Sequence, residues 1–284
     1  MAKFVLSAFA DEAGKDLTAQ IDALKRNDIS YMEIRAVNGV NICKTPLETV
    51  AEYKKQLDAA DIRVMTVGSP VGKVKLTDNY EEHVAMFLHT LGVARILEAK
   101  RIRMFSMFTD TPEAHEGIVL AKLEEMLDIA KGTGVTLYHE NEKGIYGDTD
   151  TRVARLTNAF KGRMEFIFDP ANFIQCGVKP IEAYAGLKDS IGYFHIKDAL
   201  SATGSVVPAG KGDGSIGDIL SDFARTHENV MLTVEPHLKS FAGIQDPASM
   251  KAEKETLYKD NNESFDVAVK ALKNILEERG LSYE

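Results

Sequence analysis

Four segments in the second half of the chain each end on a side chain that can bind a divalent metal ion. The segments TLYHE, MEFIFD, IGYFH and VMLTVE end at Glu140, Asp169, His195 and Glu235. Proline follows directly after Asp169 and Glu235. Because proline cannot donate to a strand ladder, these two carboxylates are predicted at the last position of their strands. If the four strands are parallel, three carboxylates and one imidazole meet at one rim and could hold a single cation.

The type of donor atom indicates which ions such a site would prefer. Three carboxylates and one imidazole favour Mn²⁺, Mg²⁺, Co²⁺ or Zn²⁺ over ions that select thiolates, and we expect Mn²⁺. Three crowded carboxylates would also repel one another unless a cation neutralised them. A bound ion would polarise a carbonyl or hydroxyl group of a substrate. Each residue alone could instead be a polar strand end that caps a helix, but four in register favour a metal site.

The elements that must position these residues follow a regular alternation. Short β-branched or aromatic runs alternate with longer amphipathic segments, and eight runs are predicted as strands: 4–9, 31–35, 63–68, 101–107, 136–140, 164–169, 191–197 and 230–235. The four ligand positions are 29, 26 and 40 residues apart. A (β/α)₈ barrel uses about 31 residues for each unit. The pattern therefore predicts a TIM barrel, with a doubly wound parallel sheet as the alternative.

The domain organisation is predicted to be simple. No break in composition divides the chain, so we expect one domain over residues 1–284. The stretch at about 237–262 is polar and weakly periodic, and is predicted to be a long loop after the eighth strand. Its place at the rim would suit a lid or a contact in a homo-oligomer.

Composition narrows the class of partner. A net charge of −9 disfavours nucleic-acid binding, which depends on a basic surface. The longest apolar runs are strand-sized, so no membrane span is predicted, and the apolar stretch of MAKFVLSAFADE is too short for a signal peptide. Two cysteines are too few for a disulfide framework and favour a reducing compartment. We expect a cytoplasmic protein with a small-molecule partner.

Three further polar residues are predicted near the ligand positions. Lys197 lies two positions after His195 and faces the same side, where it could stabilise an enolate oxygen or pair with a rim carboxylate. Arg35 ends the second strand and could hold a substrate carboxylate or hydroxyl, or form a structural ion pair. His237 comes just after the eighth strand and could line the pocket or simply begin the loop.

The glycines Gly212, Gly214 and Gly217 spell G-x-G-x-x-G. A dinucleotide site needs a strand directly before this motif, whereas the preceding VVPAGK contains proline and glycine. We interpret the segment as a flexible loop that closes over a substrate, with Ser215 as the N-cap of the next helix.

Several of these segments are similar to one known family. HENEKGIYGDT, FDPANFIQCGVKP, YFHIKDAL, VPAGKGDG and TVEPHL resemble the xylose isomerase-like TIM barrels, the sugar isomerase/epimerase superfamily. SAFADE and EIRAVNG fit as well, so the resemblance covers nearly the whole chain. The superfamily includes D-tagatose 3-epimerase-type ketose epimerases, hydroxypyruvate isomerases and inosose dehydratases. The resemblance implies one divalent ion held by Glu140, Asp169, His195 and Glu235. It also implies that Glu140 and Glu235 flank the substrate carbon as an acid/base pair.

Asn172 departs from the pattern of the epimerases. They commonly have histidine three residues after the aspartate, where this chain has Asn172. Asparagine can hydrogen-bond a substrate hydroxyl but cannot carry a proton, so isomerase, epimerase and dehydratase all stay open.

Together these observations predict a metal-dependent isomerase or epimerase of a sugar, polyol or related hydroxy-carbonyl compound. One glutamate would remove a proton beside a polarised carbonyl, and the other would return one. A dehydratase of an inosose-like substrate and a non-catalytic sugar-binding homologue are the alternatives. Phosphodiester cleavage, as in the endonuclease IV branch, uses a histidine-rich multi-zinc site and a basic face, and the sequence predicts neither.

Overall fold

The computed structural model describes residues 3–241 and 257–284. Eight parallel strands close into a barrel and are numbered here in chain order: β1 Phe4–Ala8, β2 Tyr31–Ile34, β3 Arg63–Val67, β4 Arg101–Met104, β5 Thr136–Glu140, β6 Met164–Phe168, β7 Ile191–Ile196 and β8 Val230–Val234. Each strand pairs with its neighbours in sequence, and β1 closes the ring against β8. The predicted TIM barrel is confirmed, and each strand begins at its predicted residue.

Nine helices lie among the described residues and surround the barrel: α1 Leu17–Arg26, α2 Leu47–Ala59, α3 Tyr80–Leu97, α4 Pro112–Ala130, α5 Asp150–Ala159, α6 Pro170–Gln175, α7 Pro180–Leu187, α8 Ile216–Phe223 and α9 Asn261–Glu278. Two short antiparallel hairpins interrupt the alternation at the rim, one within residues 36–41 and one within 198–207. Within the described ranges, no helix is both long and apolar enough to cross a membrane.

The two faces of the barrel strands carry different side chains. On β7, the ring of Phe194 points outward and packs 5.8 Å from Phe168 and 5.0 Å from Phe223 of α8. Burying such rings stabilises the fold by roughly 1.5–3 kcal/mol each. The adjacent residues Tyr193 and His195 point into the barrel, where both hydrogen-bond a carboxylate of β2. The upper interior of this barrel is therefore polar.

The segment after β8 can be described only in part. Residues 237–241 are described, and α9 begins at Asn261 behind its N-cap Asp260. Most of the long loop expected at 237–262 lies outside the described residues, so its role as a lid or oligomer contact stays a prediction.

The cysteines Cys43 and Cys176 are both free thiols.

Candidate active site

The four predicted ligand residues meet at the carboxyl ends of the strands. Glu140 ends β5, His195 lies in β7, and Asp169 and Glu235 directly follow β6 and β8. One ligand atom of each residue lies within 4.8 Å of the others, and each residue is at most 3% exposed. Ligands bound at about 2.1 Å around one ion spread over about 4 Å, so this spacing suits a single cation.

Asp169 is both a helix cap and a member of this cluster. Its Oδ1 accepts a hydrogen bond from the backbone N of Asn172 at 2.9 Å, which begins α6 directly behind Pro170. Its Oδ2 is buried, has no hydrogen-bond partner among the described residues and lies 2.9 Å from Lys197 Nζ. The Asn141 side chain bonds the backbone N and O of Asp169, which ties the ends of β5 and β6 together.

Glu140 lies between two cationic groups. Its Oε1 is 2.9 Å from His195 Nδ1, and its Oε2 is 3.2 Å from Arg103 Nη1. Burial alone would raise the pKa of Glu140, but His195 and Arg103 together lower it to about 2. Glu140 is therefore ionised at neutral pH.

Glu235 is held by three side chains. Arg35 Nη1 donates to its Oε1 at 3.0 Å, and Lys197 Nζ donates to its Oε2 at 2.8 Å. His237 Nε2 lies 3.4 Å from Oε1. Burial opposes ionisation, but Lys197 and His237 hold the pKa of Glu235 well below its usual value.

Lys197 bridges two of the predicted ligand carboxylates. Its Nζ lies 2.9 Å from Asp169 and 2.8 Å from Glu235, and the residue is 5% exposed. Burial would lower the pKa of Lys197, but Asp169 and Glu235 raise it well above its usual value, so the ammonium stays charged. Lys197 faces the same side as His195, as predicted, and it pairs with rim carboxylates.

Arg35 already has protein partners for its guanidinium group. It forms a two-point ion pair with Asp11 at 2.9 and 3.0 Å, and bonds Glu12 and Glu235 at 3.0 Å each. The structural ion pair, one of the two roles predicted for Arg35, is therefore what the geometry shows. Its contact with Glu235 makes Arg35 a positioning residue.

His237 lies at the mouth of the site, where its side chain is 28% exposed. Its backbone N donates to Glu12 Oε2 at 2.6 Å, and its ring packs 5.5 Å from Phe241. The Phe241 ring in turn lies 4.6 Å from the Arg35 guanidinium, which also lies 4.3 Å from the Phe9 ring. His237 thus begins the segment after β8 and contacts Glu12 and Glu235, and its role in lining the pocket stays a prediction.

The side-chain amide of Asn172 donates its hydrogen bonds to other groups of the protein. Its Nδ2 donates to Glu140 Oε1 at 3.3 Å and to the backbone O of Asn141 at 2.8 Å, and the residue is 2% exposed. Contact with a substrate, as predicted from the sequence, would have to use its side-chain oxygen.

Four charged residues of the site were not predicted from the sequence, namely Asp11, Glu12, Glu33 and Arg103. Glu33 and Arg103 lie within strands, whereas the site residues predicted from the sequence lie at strand ends or just after them. On β2 the available signal was Glu33, a charged residue two positions before the predicted Arg35 and therefore on the same side of the strand.

Negative charge predominates in this buried network. In the described part of the chain it contains six carboxylates and three permanent cations: Asp11, Glu12, Glu33, Glu140, Asp169 and Glu235 against Arg35, Arg103 and Lys197. The network therefore contains twice as many carboxyl groups as permanent cations. Burial, together with the carboxylates of Glu140 and Glu235, raises the pKa of Asp169 to about 7 despite the nearby Lys197. The three carboxylates and one imidazole of the cluster fit a divalent cation, and so does the excess of carboxylates over cations around them.

The same excess of carboxylates changes the pKa of His195. Burial would lower its pKa, but the carboxylates of Glu140 and Glu33 raise it to about 10. Because a metal ligand must present a lone pair, ion binding at His195 would release a proton from the ring.

The glycine-rich segment is not the flexible loop that the sequence suggested. The backbone N–H groups of Gly210, Gly212 and Gly214 donate to the buried Asp198 carboxylate at 2.9, 3.1 and 2.8 Å. Ser215 does occupy the N-cap position of α8, but with a φ of 53° and no side-chain hydrogen bond to the helix. The loop is therefore fixed beside Lys197 by an internal carboxylate.

Comparison with known proteins adds a family and a fold. Over residues 21–260 the chain matches the family model described as xylose isomerase-like TIM barrel. No curated protein sequence matches it.

Three solved structures illustrate the similarity of fold. The IolI protein with a bound zinc atom has a TM-score of 0.74 and 16% identity, covering 98% of this chain and 99% of that one. The probable 3-DHS dehydratase AsbF from Bacillus anthracis has a TM-score of 0.70 and 13% identity, covering 95% and 99%. An L-ribulose 3-epimerase has a TM-score of 0.69 and 18% identity, covering 99% and 96%. At these identities the similarity establishes the fold.

Proposed function

This chain belongs to the xylose isomerase-like TIM barrel family, and on that premise we propose that it is a metal-dependent isomerase or epimerase of a sugar, polyol or related hydroxy-carbonyl compound. The observation that carries the proposal is the buried cluster of Glu140, Asp169, His195 and Glu235, whose ligand atoms lie within 4.8 Å of one another. The excess negative charge around this cluster supports it.

We propose that these four residues hold one divalent ion, with Mn²⁺ as our expectation. The zinc in the IolI structure supports a divalent ion in this fold. When bound, the ion would act as a Lewis acid on a substrate carbonyl.

The two glutamates would move the proton. Both have lowered pKa values and are ionised at neutral pH, as a group that accepts a proton must be. In the proposed reaction one of Glu140 and Glu235 takes a proton from the carbon beside the carbonyl. The other, which also starts ionised, takes a proton from the neighbouring substrate hydroxyl and gives it back to the carbon, and the first glutamate then returns its proton to that hydroxyl oxygen. Arg35 and Arg103 hold these carboxylates in place through contacts of 3.0 and 3.2 Å. Lys197 would donate a hydrogen bond to the oxygen that gains negative charge.

A dehydratase is the second candidate, and Asn172 favours it. Asn172 carries no titratable group and donates its side-chain hydrogens to Glu140 and Asn141. The site therefore lacks the additional acid/base group that epimerases commonly have at this position. In this reaction the same proton abstraction would be followed by loss of the β-hydroxyl, which leaves as water with the proton that the glutamate took. The similarity of fold to the probable 3-DHS dehydratase is compatible with it.

The test is turnover of ketoses and inososes in deuterated water by the metal-loaded protein. Isomerisation or epimerisation would place deuterium on a substrate carbon, whereas dehydration would produce a conjugated enone that absorbs in the ultraviolet. Glu140→Gln and Glu235→Gln should each abolish either reaction. Glu165→Gln, on β6 but outside the ligand cluster, is the matched control and should retain activity. Full turnover in both site variants would contradict the proposed roles.

A further inference from the structure

Glu33 is a buried carboxylate of β2 that lies against the proposed ligand cluster without belonging to it. It is 0% exposed and lies within hydrogen-bond distance of three side chains of β7 and β8. Tyr193 Oη lies 3.2 Å from both of its oxygens, and Thr233 Oγ1 lies 3.0 Å from Oε2. The third partner is His195, whose Nε2 lies 3.2 Å from Oε2.

The two nitrogens of His195 face different surroundings. Nε2 faces Glu33, whereas Nδ1 lies 2.9 Å from Glu140 Oε1 and 3.7 Å from Glu235 Oε2. Nδ1 is therefore the nitrogen that faces the proposed ion. A neutral imidazole carries hydrogen on one nitrogen only, so a histidine ligand of Nδ1 type must carry its hydrogen on Nε2.

We infer that Glu33 is a positioning residue that fixes His195 as an Nδ1 metal ligand by accepting the Nε2 hydrogen. The inference rests on the proposed function, since it concerns the same metal site. Carboxylate oxygens are hydrogen-bond acceptors, and Oε2 of Glu33 lies 3.2 Å from Nε2, so a hydrogen on Nε2 has its acceptor there. Hydrogen bonds of this kind from a ligand histidine orient the ring and increase its basicity toward the metal.

Replacement by glutamine separates this role from packing. Glu33→Gln preserves the volume of the side chain, but its amide can donate as well as accept, so His195 is no longer restricted to one tautomer. The hydroxyls of Tyr193 and Thr233 still have a partner in glutamine. We expect an ion affinity about 10–100-fold weaker, as for other lost partners of metal-ligating histidines.

The experiment is a titration of Mn²⁺ at pH 7.5, in which free Mn²⁺ is followed by electron paramagnetic resonance. Wild type, Glu33→Gln and Thr233→Val are compared. Thr233→Val removes another donor to the same oxygen of Glu33 and leaves His195 unchanged, so it is the matched control. The inference requires that Glu33→Gln binds Mn²⁺ more weakly than wild type and that Thr233→Val binds it with nearly wild-type affinity. Equal weakening in both, or wild-type affinity in Glu33→Gln, overturns it.

A second measurement needs no variant. In the wild-type protein loaded with Zn²⁺, ¹⁵N spectra of the histidine rings should show hydrogen on Nε2 of His195 and the metal on Nδ1. Metal on Nε2 overturns the inference even if the proposed function is correct. A wild-type protein that binds no ion contradicts the proposed function itself, and the inference with it.

Discussion

Asn172 illustrates how a single residue can orient two proposed ligands. Its backbone N bonds Asp169 Oδ1 at 2.9 Å, and its side-chain Nδ2 bonds Glu140 Oε1 at 3.3 Å. The other oxygen of each carboxylate has no hydrogen-bond partner within the described ranges. These two oxygens instead form ion pairs, Asp169 Oδ2 with Lys197 at 2.9 Å and Glu140 Oε2 with Arg103 at 3.2 Å, so a bound ion would share them with these cations.

We predict that Asn172→Ala weakens ion binding and destabilises the fold. The change keeps the backbone cap of Asp169 but removes the donor to Glu140 and leaves the buried carbonyl of Asn141 without that partner. An unsatisfied buried polar group costs about 1–3 kcal/mol. Urea denaturation and Mn²⁺ titration measure the two effects. Unchanged affinity would show that Glu140 does not need this hydrogen bond.

A second prediction concerns His83, away from the site. Its Nε2 accepts a hydrogen bond from Gly72 N at 2.8 Å, so the folded state holds the neutral ring. Burial, assisted by Lys122, lowers the pKa of His83 below 6.5. The unfolded state then binds more protons in acid, so this contribution to stability is complete above pH 6.5 and declines as the pH falls below it.

Urea denaturation at pH 7.5 and pH 5.0 tests this sign. The glutamine of His83→Gln can still accept from Gly72 but does not titrate. We therefore expect the variant to lose less stability than wild type between the two pH values. An equal loss would mean that protonation of His83 is not linked to folding.

At the scale of elements, the strands were predictable and the long loops were not. Alternating apolar runs located all eight strands, and the prolines after Asp169 and Glu235 marked two of their ends because proline cannot continue a ladder. The G-x-G-x-x-G segment was misread as flexible. The amides of Gly212 and Gly214 in this segment, and of Gly210 just before it, bond Asp198, which lies 12 to 16 residues earlier in the chain. Local patterns do not show such a distant contact.

Asp198 should therefore hold the whole segment 199–214 in place. We predict that Asp198→Asn destabilises the protein by about 1–3 kcal/mol, because an amide cannot accept from all three N–H groups. Hydrogen exchange within 199–214 should rise at the same time. Asp213→Asn, an exposed residue of the same loop that bonds Ser201 N, is the control and should change exchange much less. Equal protection in Asp198→Asn and wild type would contradict this role.

At the scale of the whole molecule, the barrel explains which site residues could be predicted. Parallel strands in a closed ring place their carboxyl ends at one rim, so four strand-end residues were expected together, and the structure brings them together. Glu33 and Arg103 were missed because a charged residue within a strand normally indicates a solvent-exposed face. In a closed barrel one face of each strand points into the barrel interior. Which residues of other strands it meets there depends on the order of the strands around the ring.

The whole molecule also determines the electrostatics of the site. Residues from β2, β4, β5 and β7 and the segments after β1, β2, β6, β7 and β8 form one buried network with an excess of carboxylates. This excess is costly to bury unless a cation compensates it. The central claim is therefore that the folded protein binds a divalent ion between Glu140, Asp169, His195 and Glu235.

Metal content tests that claim most directly. The purified protein is loaded with Mn²⁺ or Zn²⁺, passed over a desalting column and measured by elemental analysis, beside Glu235→Gln and the control Glu165→Gln. We predict about one equivalent in wild type and control, as expected for a single four-ligand site, and much less in Glu235→Gln. If the folded wild-type protein retains no ion under any loading, or if Glu235→Gln retains as much as wild type, the proposed metal site is wrong.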